Sequence, residues 1–278
     1  MNLFLKLSRP RFWIYELGSF FIGVIVVATS ITDLLKFDTL LFAFYFLFPA
    51  NLLIYGINDI FDYETDKLNP KKNQYELLLQ KEKHKSVYFA ILLTNIPFII
   101  YSFFVSIPVF LCMLAFVFFA SFYSAKPIRA KALPILDSLF SASHYIATGV
   151  FGFYLLGGQD FPVLGVIAGI LWAMAMHAYS AVPDISADKG ANLETVATYL
   201  GSNTTIIMCG IFYILSGIIF FNLIGVYAIF GMIIYIVLMA LSFGKDEEGV
   251  FRVYKYFPLV NTLLPMIWCI FYMYQKFG

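Results

Sequence analysis

Apolar runs of about twenty residues, separated by short polar segments, recur nine times along the chain. A run of that length, wound as a helix, matches the hydrocarbon thickness of a bilayer. The pattern predicts spans at roughly 12–32, 39–58, 86–105, 107–125, 135–157, 161–182, 204–222, 224–243 and 257–275. The third and fourth runs nearly merge, as do the seventh and eighth. Ser106-Ile107-Pro108 and Asn222 to Gly225 hold the residues that must turn the chain there. The expected fold is all-α, a polytopic membrane protein of about nine transmembrane helices forming one domain over residues 1–278.

Composition agrees with this division. Of 278 residues, 61% are hydrophobic and 13% charged, and the mean hydropathy is +0.84, values outside the usual soluble range. The net charge of +1 conceals a polarised molecule. With the N-terminus inside, Lys6, Arg9, Arg11, Lys67, Lys71, Lys72, Lys81, Lys83, Lys85, Lys126, Arg129, Lys131, Lys189, Lys245, Arg252 and Lys255 all fall on the cytoplasmic side. Only Lys36 and Lys276 fall outside. That bias predicts a multi-pass protein of the cell (inner) membrane with a cytoplasmic N-terminus. The stretch from Met1 to Arg11 lacks a small-residue cleavage pattern, so no cleaved signal peptide is expected. Cys112, Cys209 and Cys269 lie singly in apolar spans and read as packing residues. No nucleic-acid partner is expected.

The polar residues that remain gather at span ends. Asn58-Asp59-Ile60-Phe61-Asp62-Tyr63-Glu64-Thr65-Asp66 follows an uncharged stretch from Leu40 to Ile57. Asp59, Asp62 and Asp66 stand at i, i+3 and i+7, with Asn58 four before Asp62, so a helix puts their oxygens on one face. Crowded carboxylates repel unless a cation sits among them. Oxygen-only donors favour Mg²⁺, which completes its shell with water and substrate phosphates.

Two further motifs end spans on the same side of the membrane. Span six closes with Asp184-Ile185-Ser186-Ala187-Asp188, its acids at i and i+4, after Pro183, which is expected to kink the helix. Span four closes with Tyr123-Ser124-Ala125-Lys126-Pro127-Ile128-Arg129-Ala130-Lys131. Two acidic sites holding Mg²⁺ between them would accept a diphosphate, and Lys126 and Arg129 would neutralise its remaining charge. The plainer readings differ by segment. Lys81-Glu82-Lys83-His84-Lys85 reads as a solvated loop, His144 and His177 as hydrogen-bonded intramembrane groups, and the aromatic excess mostly as lipid-facing or interfacial material. A transporter would place its charged site near the midplane in broken helices, whereas these acids stand at span ends. A non-catalytic isoprenoid-lipid binding or transport protein remains the alternative of another class.

These residues resemble the UbiA superfamily of intramembrane prenyltransferases. Asn58, Asp59, Asp62 and Asp66 fill its N-D-x-x-D-x-x-x-D motif, Asp184 and Asp188 its D-x-x-x-D motif, and Tyr123, Ser124, Pro127, Arg129 and Lys131 its Y-S-x-x-P-x-R-x-K pattern. Ser8-Arg9-Pro10-Arg11-Phe12-Trp13 is similar to the family's lead-in to its first helix. The resemblance implies nine helices around a central cavity and Mg²⁺ bridging the carboxylates to a prenyl diphosphate. It also implies an allylic cation, captured by a lipophilic acceptor drawn, like the donor, from the membrane lipids. By the same resemblance Asp62, Asp66, Asp184 and Asp188 are catalytic, these four with Asn58 and Asp59 hold metal, and Asn58, Lys126, Arg129 and Tyr123 contact diphosphate. Where family members carry a basic element after the first motif, this chain has Asn69-Pro70-Lys71-Lys72-Asn73, so Lys71 or Lys72 takes that place. Ala178 to Ile185, Thr195 to Gly201, and Lys255-Tyr256-Phe257-Pro258 with Asn261 look more like the lycopene elongase branch, whose acceptor is a C40 carotenoid. The alternative acceptor is an aromatic quinone precursor of the 4-hydroxybenzoate or dihydroxynaphthoate type.

Overall fold

The computed structural model describes residues 3–67 and 77–278, and the described residues form helices and turns with no strand. A short α1 (Leu3–Leu7) leads to α2 (Trp13–Val27), α3 (Phe37–Leu47), α4 (Pro49–Phe61) and α5 (Tyr63–Asp66). There follow α6 (His84–Val105), α7 (Ile107–Ser124), α8 (Leu136–Leu155), α9 (Val163–Ala181), α10 (Ile185–Gly190) and α11 (Val196–Leu200). The chain ends with α12 (Ser202–Ile224), α13 (Val226–Ser242), α14 (Glu247–Tyr254) and α15 (Phe257–Phe277).

Among the described residues, seven helical stretches are long and apolar enough to cross a membrane: Pro10–Val27, Phe37–Phe61, Lys81–Val105, Ile107–Ser124, Val163–Gly190, Ser202–Ile224 and Glu247–Phe277. The other two expected spans are helices of a different kind. Val226–Ser242 is apolar but has 17 residues, and Leu136–Leu155 carries Asp137, three serines, His144 and Thr148 among its 20 residues. The second expected span is also broken. Pro49 lacks the amide hydrogen needed to continue α3, so the helix restarts there as α4. The turns fall where the small and polar residues predict: Ser106 is extended and its Oγ accepts from Val109 N at 3.3 Å, and Gly225 joins α12 to α13 at φ 62°.

The chain divides into two compact units, one of Met1–Arg129, Ala147–Gln159 and Gln275–Gly278, the other of Ala130–Ile146 and Asp160–Tyr274. In the first, the aromatic excess does more than face lipid. Phe20, Phe42, Tyr45, Phe46, Phe116 and Phe151 are all buried. Phe42 and Phe46 meet Phe151 edge-on at ring separations of 4.6 and 5.2 Å, a geometry that aligns ring edges with ring faces. Glycine allows the backbones of α2 and α8 to touch: a Cβ at Gly23 would lie 1.8 Å from Gly149 O, and one at Gly152 would lie 2.3 Å from Phe20 O. Small residues at such crossings are how membrane helices gain contact when apolar burial gives little drive.

The two basic residues expected on the far side are both held locally. Lys36 Nζ stands 2.8 Å from Asp33 Oδ1. Hydrogen bonds from Lys36 first, then from Thr29 and Ser30, keep the Asp33 carboxyl well below the usual carboxylate range. Lys276 donates to Ile25 O and Val26 O at 3.3 and 2.7 Å, the carbonyls that α2 leaves open at its C-terminus.

In the second unit, Tyr213 and Tyr235 stack at 4.4 Å, Tyr235 donates to Asn261 Oδ1 at 2.9 Å, and Tyr179 shares a 2.7 Å bond with Ser242. Phe257 packs on Tyr179 at 5.0 Å. The fully buried Asp137 joins two helix starts, accepting from Ser138 N at 2.7 Å and from Val196 N at 2.8 Å.

The contact at Gly23 makes a direct prediction. Gly23→Ala forces the backbones apart and is expected to destabilise the detergent-solubilised protein by about 1–3 kcal/mol. Gly18→Ala on the same helix, where an added Cβ meets nothing within 4 Å, is expected to leave the thermal midpoint within about a degree or two.

Candidate active site

The first acidic motif lies where α4 stops. Asp62 caps the helix at φ −97°, ψ 3°, and α5 continues after it, with Asp62 N bonded to Asn58 O at 2.9 Å and Asp66 N to Asp62 O at 2.8 Å. Asp62 thus takes part in a helical bond on each side of the one-residue break between α4 and α5, which keeps Asn58, Asp62 and Asp66 one turn apart along the chain. Asp59 and Asp62 are 4% and 3% exposed, which leaves water little part in balancing their charge.

Two guanidinium groups supply that balance. Arg9 Nη2 donates to Asp59 Oδ1 at 2.8 Å, and Arg129 Nη2 approaches Asp62 Oδ1 at 3.5 Å. Both arginines adopt left-handed backbone conformations, with φ 47° and 48°. Residues other than glycine enter that region rarely, and they cluster at functional sites when they do. The lead-in that holds Arg9 is itself fastened: Trp13 Nε1 donates to Ser8 O and Ser8 Oγ at 3.0 and 3.1 Å, and the Arg9 guanidinium lies 4.7 Å from the Tyr55 ring centre. Removing Arg9 alone would take a guanidinium from a buried carboxylate, and breaking a buried pair from one side costs up to about 3–5 kcal/mol.

Among the residues expected from sequence, Asn58 is joined to the third motif, since its Nδ2 donates to Ser124 Oγ at 3.0 Å. Tyr123 is half-buried beside that serine, Lys126 is exposed in the turn after α7, and Arg129 closes the turn through its N bonded to Ala125 O at 2.9 Å. Glu64 points elsewhere. Its salt bridge to Lys81 holds its carboxyl below the usual carboxylate range, and both groups are exposed. The segment Lys81–Lys83 forms a short 3-10 turn leading into α6. Lys71 and Lys72 lie outside the described residues.

The second acidic motif occupies its own unit. The 3-10 turn Val182–Asp184 follows α9 and contains Pro183, so proline changes the helix type where a kink is expected. Asp184 then caps α10, and Asp188 stands in its first turn. Both are partly buried. Ser186 Oγ donates to Glu247 Oε1 at 2.6 Å, tying α10 to α14. The Thr195 to Gly201 segment is a capped helix: Thr198 N reaches Thr195 Oγ1 at 3.2 Å, and Gly201 ends it at φ 78°.

Two residues of the first unit escape sequence reasoning. Arg9 is read there as one of the cytoplasmic basic residues and as part of a lead-in, and its pairing across fifty residues leaves no local trace. Glu16 is a carboxylic acid 1% exposed inside the first span, and the available signal is that it is the sole charge between Arg11 and Asp33.

The donor chemistry fits a hard divalent ion. Asp59, Asp62 and Asn58 offer oxygens only, and among the described residues no three His, Cys, Asp or Glu side chains make a ready cage. Mg²⁺ suits such a site, since one or two carboxylates suffice when phosphate oxygens and water complete the shell.

Comparison with known proteins gives the chain's relatives. The lycopene elongase/hydratase of Halobacterium salinarum is 36% identical over 263 residues, covering 94% of this chain and 93% of that protein. The protein of the same name from Haloferax volcanii is 35% identical over 263 residues, covering 94% and 85%. Among solved structures, a UbiA homolog from Archaeoglobus fulgidus bound to GPP and Mg²⁺ has a TM-score of 0.76 at 18% identity, covering 98% of this chain and 100% of that one. The profile of the UbiA prenyltransferase family matches residues 17–248, from within the first span to the start of α14. A match of that extent places the chain in the UbiA prenyltransferase family, as a multi-pass membrane prenyltransferase.

Proposed function

We propose that the protein transfers a prenyl group from an allylic prenyl diphosphate to the end of a lycopene-like carotenoid within the membrane. The donor half of this reading rests on the end of α4, where buried carboxylates already stand against guanidinium groups. A diphosphate with its metal brings the same pair of charges, so each partner exchanges for one of like sign. The acceptor half is supported by the two relatives named lycopene elongase/hydratase, each matching 94% of this chain.

In this reading Asp62, Asp66, Asp184 and Asp188, with Asn58 and Asp59, hold Mg²⁺, the ion found with GPP in the Archaeoglobus fulgidus homolog. When bound, Mg²⁺ supplies Lewis-acid stabilisation of the charge that builds on the departing diphosphate. Arg129, anchored at the turn after α7, offers paired donors to phosphate oxygens, and Lys126 adds a mobile point charge. Tyr123 and the Lys71–Lys72 pair complete the diphosphate contacts. The apolar helices exclude water that would otherwise quench the allylic cation. We place these groups on the cytoplasmic face of the cell membrane, from the distribution of Lys and Arg.

Expression in cells that accumulate lycopene tests the acceptor, alongside membranes fed 4-hydroxybenzoate or dihydroxynaphthoate. A C45 or C50 pigment is expected; a prenylated phenol in its place refutes the reading. Asp62→Ala is expected to lower turnover of labelled prenyl diphosphate by at least about 100-fold, and retained turnover would count against the metal role. Lys126→Ala is expected to raise the donor KM by about tenfold, the equivalent of one charge-assisted contact, while the acceptor KM stays within about twofold. Equal changes in both constants would remove Lys126 from the diphosphate site.

A further inference from the structure

The second acidic motif needs support from outside itself. Asp188 is partly buried, but Lys189, Gly190, Ala191 and Asn192 after it are all exposed, so side-chain packing does little to fix the end of α10. A group that meets an ion must be held to within about 0.5 Å, which takes a firmer reference than an exposed loop.

The backbone leads to such a reference within the same unit. Ala191 N and Leu193 N both donate to Asp188 O, at 3.1 and 2.9 Å, and fold the end of α10 onto the segment that follows. Two residues further on, Thr195 N donates to Thr198 Oγ1 at 2.8 Å, and Thr198 N donates to Thr195 Oγ1 at 3.2 Å. This reciprocal cap begins α11, whose Val196 and Ala197 are 1% and 0% exposed. Val196 N then donates to Asp137 Oδ2 at 2.8 Å, while Ser138 N donates to Oδ1 at 2.7 Å. Asp137 is 0% exposed in the first turn of α8.

The choice of side chain matters here. Both amides stand at helix starts, where the first N–H groups find no carbonyl within their own helix. A carboxylate gives each of them a charged acceptor oxygen. Asparagine has the same shape but a single acceptor oxygen, and its NH₂ would oppose the other N–H. Asp137 therefore fastens α11 to α8 at two points, and the bonds from Thr198 back to Asp188 carry that fixture to α10.

We propose that Asp137 is a positioning residue for the second acidic motif, setting the place of Asp188 through Val196, the Thr195–Thr198 cap and Leu193. This rests on the reading above, in which Asp184 and Asp188 hold Mg²⁺ for the diphosphate.

Mn²⁺ measures metal binding apart from turnover, because the free ion gives an electron paramagnetic resonance signal that is lost on binding. The full-length protein in detergent, with inorganic diphosphate, is titrated with Mn²⁺, and half-saturating Mg²⁺ for turnover is measured on the same preparations. Asp188→Ala defines the share of binding due to the second motif. Asp137→Asn is expected to weaken that share by about 10-fold, the low end for a residue that orients a ligand, and to raise half-saturating Mg²⁺ by a similar factor, while acceptor KM stays within about twofold. Added to Asp188→Ala, Asp137→Asn should weaken Mn²⁺ binding by less than about a further twofold, since a residue acting through Asp188 then has nothing to position. Thr198→Val, which breaks the next link, should weaken binding by about threefold.

Unchanged Mn²⁺ affinity in Asp137→Asn overturns the proposal. Full additivity with Asp188→Ala also overturns it, as does a fall in active fraction with both metal constants at wild type, which marks a purely structural acid. Should Asp137→Asn fail to accumulate, Thr198→Val decides, and wild-type affinity in that variant overturns the assignment. If Asp188→Ala itself leaves Mn²⁺ binding and the Mg²⁺ requirement unchanged, the metal reading of the second motif fails, a result distinct from a failure of Asp137 alone.

Discussion

A carboxylate at the edge of hydrocarbon is tolerated only when a cation stands within bonding distance, and the first unit is arranged around that requirement. Asp59 and Asp62 are almost wholly buried where α4 ends, and each faces a guanidinium. The arginines arrive from opposite directions in the chain, Arg9 from before the first span and Arg129 from the turn after α7. Their left-handed backbones show that the surrounding contacts, rather than local preference, set their positions. The Trp13–Ser8 bonds and the Asn58–Ser124 bond belong to the same scheme, because each fixes a segment that carries one of the charges.

Paired charges also make the site exchangeable. A fixed apolar pocket could not accept diphosphate and metal, whereas an internal ion pair can trade each member for an incoming group of the same sign. On the proposed reading the exchange would lower the net gain on donor binding, since existing contacts are surrendered. The same loss would ease departure of the inorganic diphosphate afterwards, a restraint that suits a catalyst with a highly charged product.

Much of this was legible in the sequence where the information is local. Asn58, Asp59, Asp62 and Asp66 announce themselves by helical spacing after an uncharged run, Ser106 and Gly225 mark tight turns, and apolar length locates most spans. Non-local physics was hidden. The Arg9–Asp59 pair joins residues fifty apart, and no periodicity reports it. Pro49 breaks the second span without changing its hydropathy. The aromatic side chains that the bilayer would accept at its surface instead fill a packed core around Phe151, because ring shape, and not polarity, decides their place. Asp137 looks like an ordinary helix-start acid until its second partner, Val196 N, is seen. Glu16 was visible as a lone charge in an apolar run, whereas its almost complete burial was not.

The backbone contact at Gly23, Gly149 and Gly152 has an effect at a distance from itself. Helices separated by side chains can slide by a fraction of a turn as those side chains change rotamer. Carbonyl against glycine leaves no such slack, so α2 behaves as a rod pinned along its length. Glu16 belongs to that rod, and the lead-in that carries Arg9 joins its start through the 3-10 turn Pro10–Phe12. The glycines thus serve as the zero mark of a ruler, against which every side chain of α2 takes a fixed position along α8.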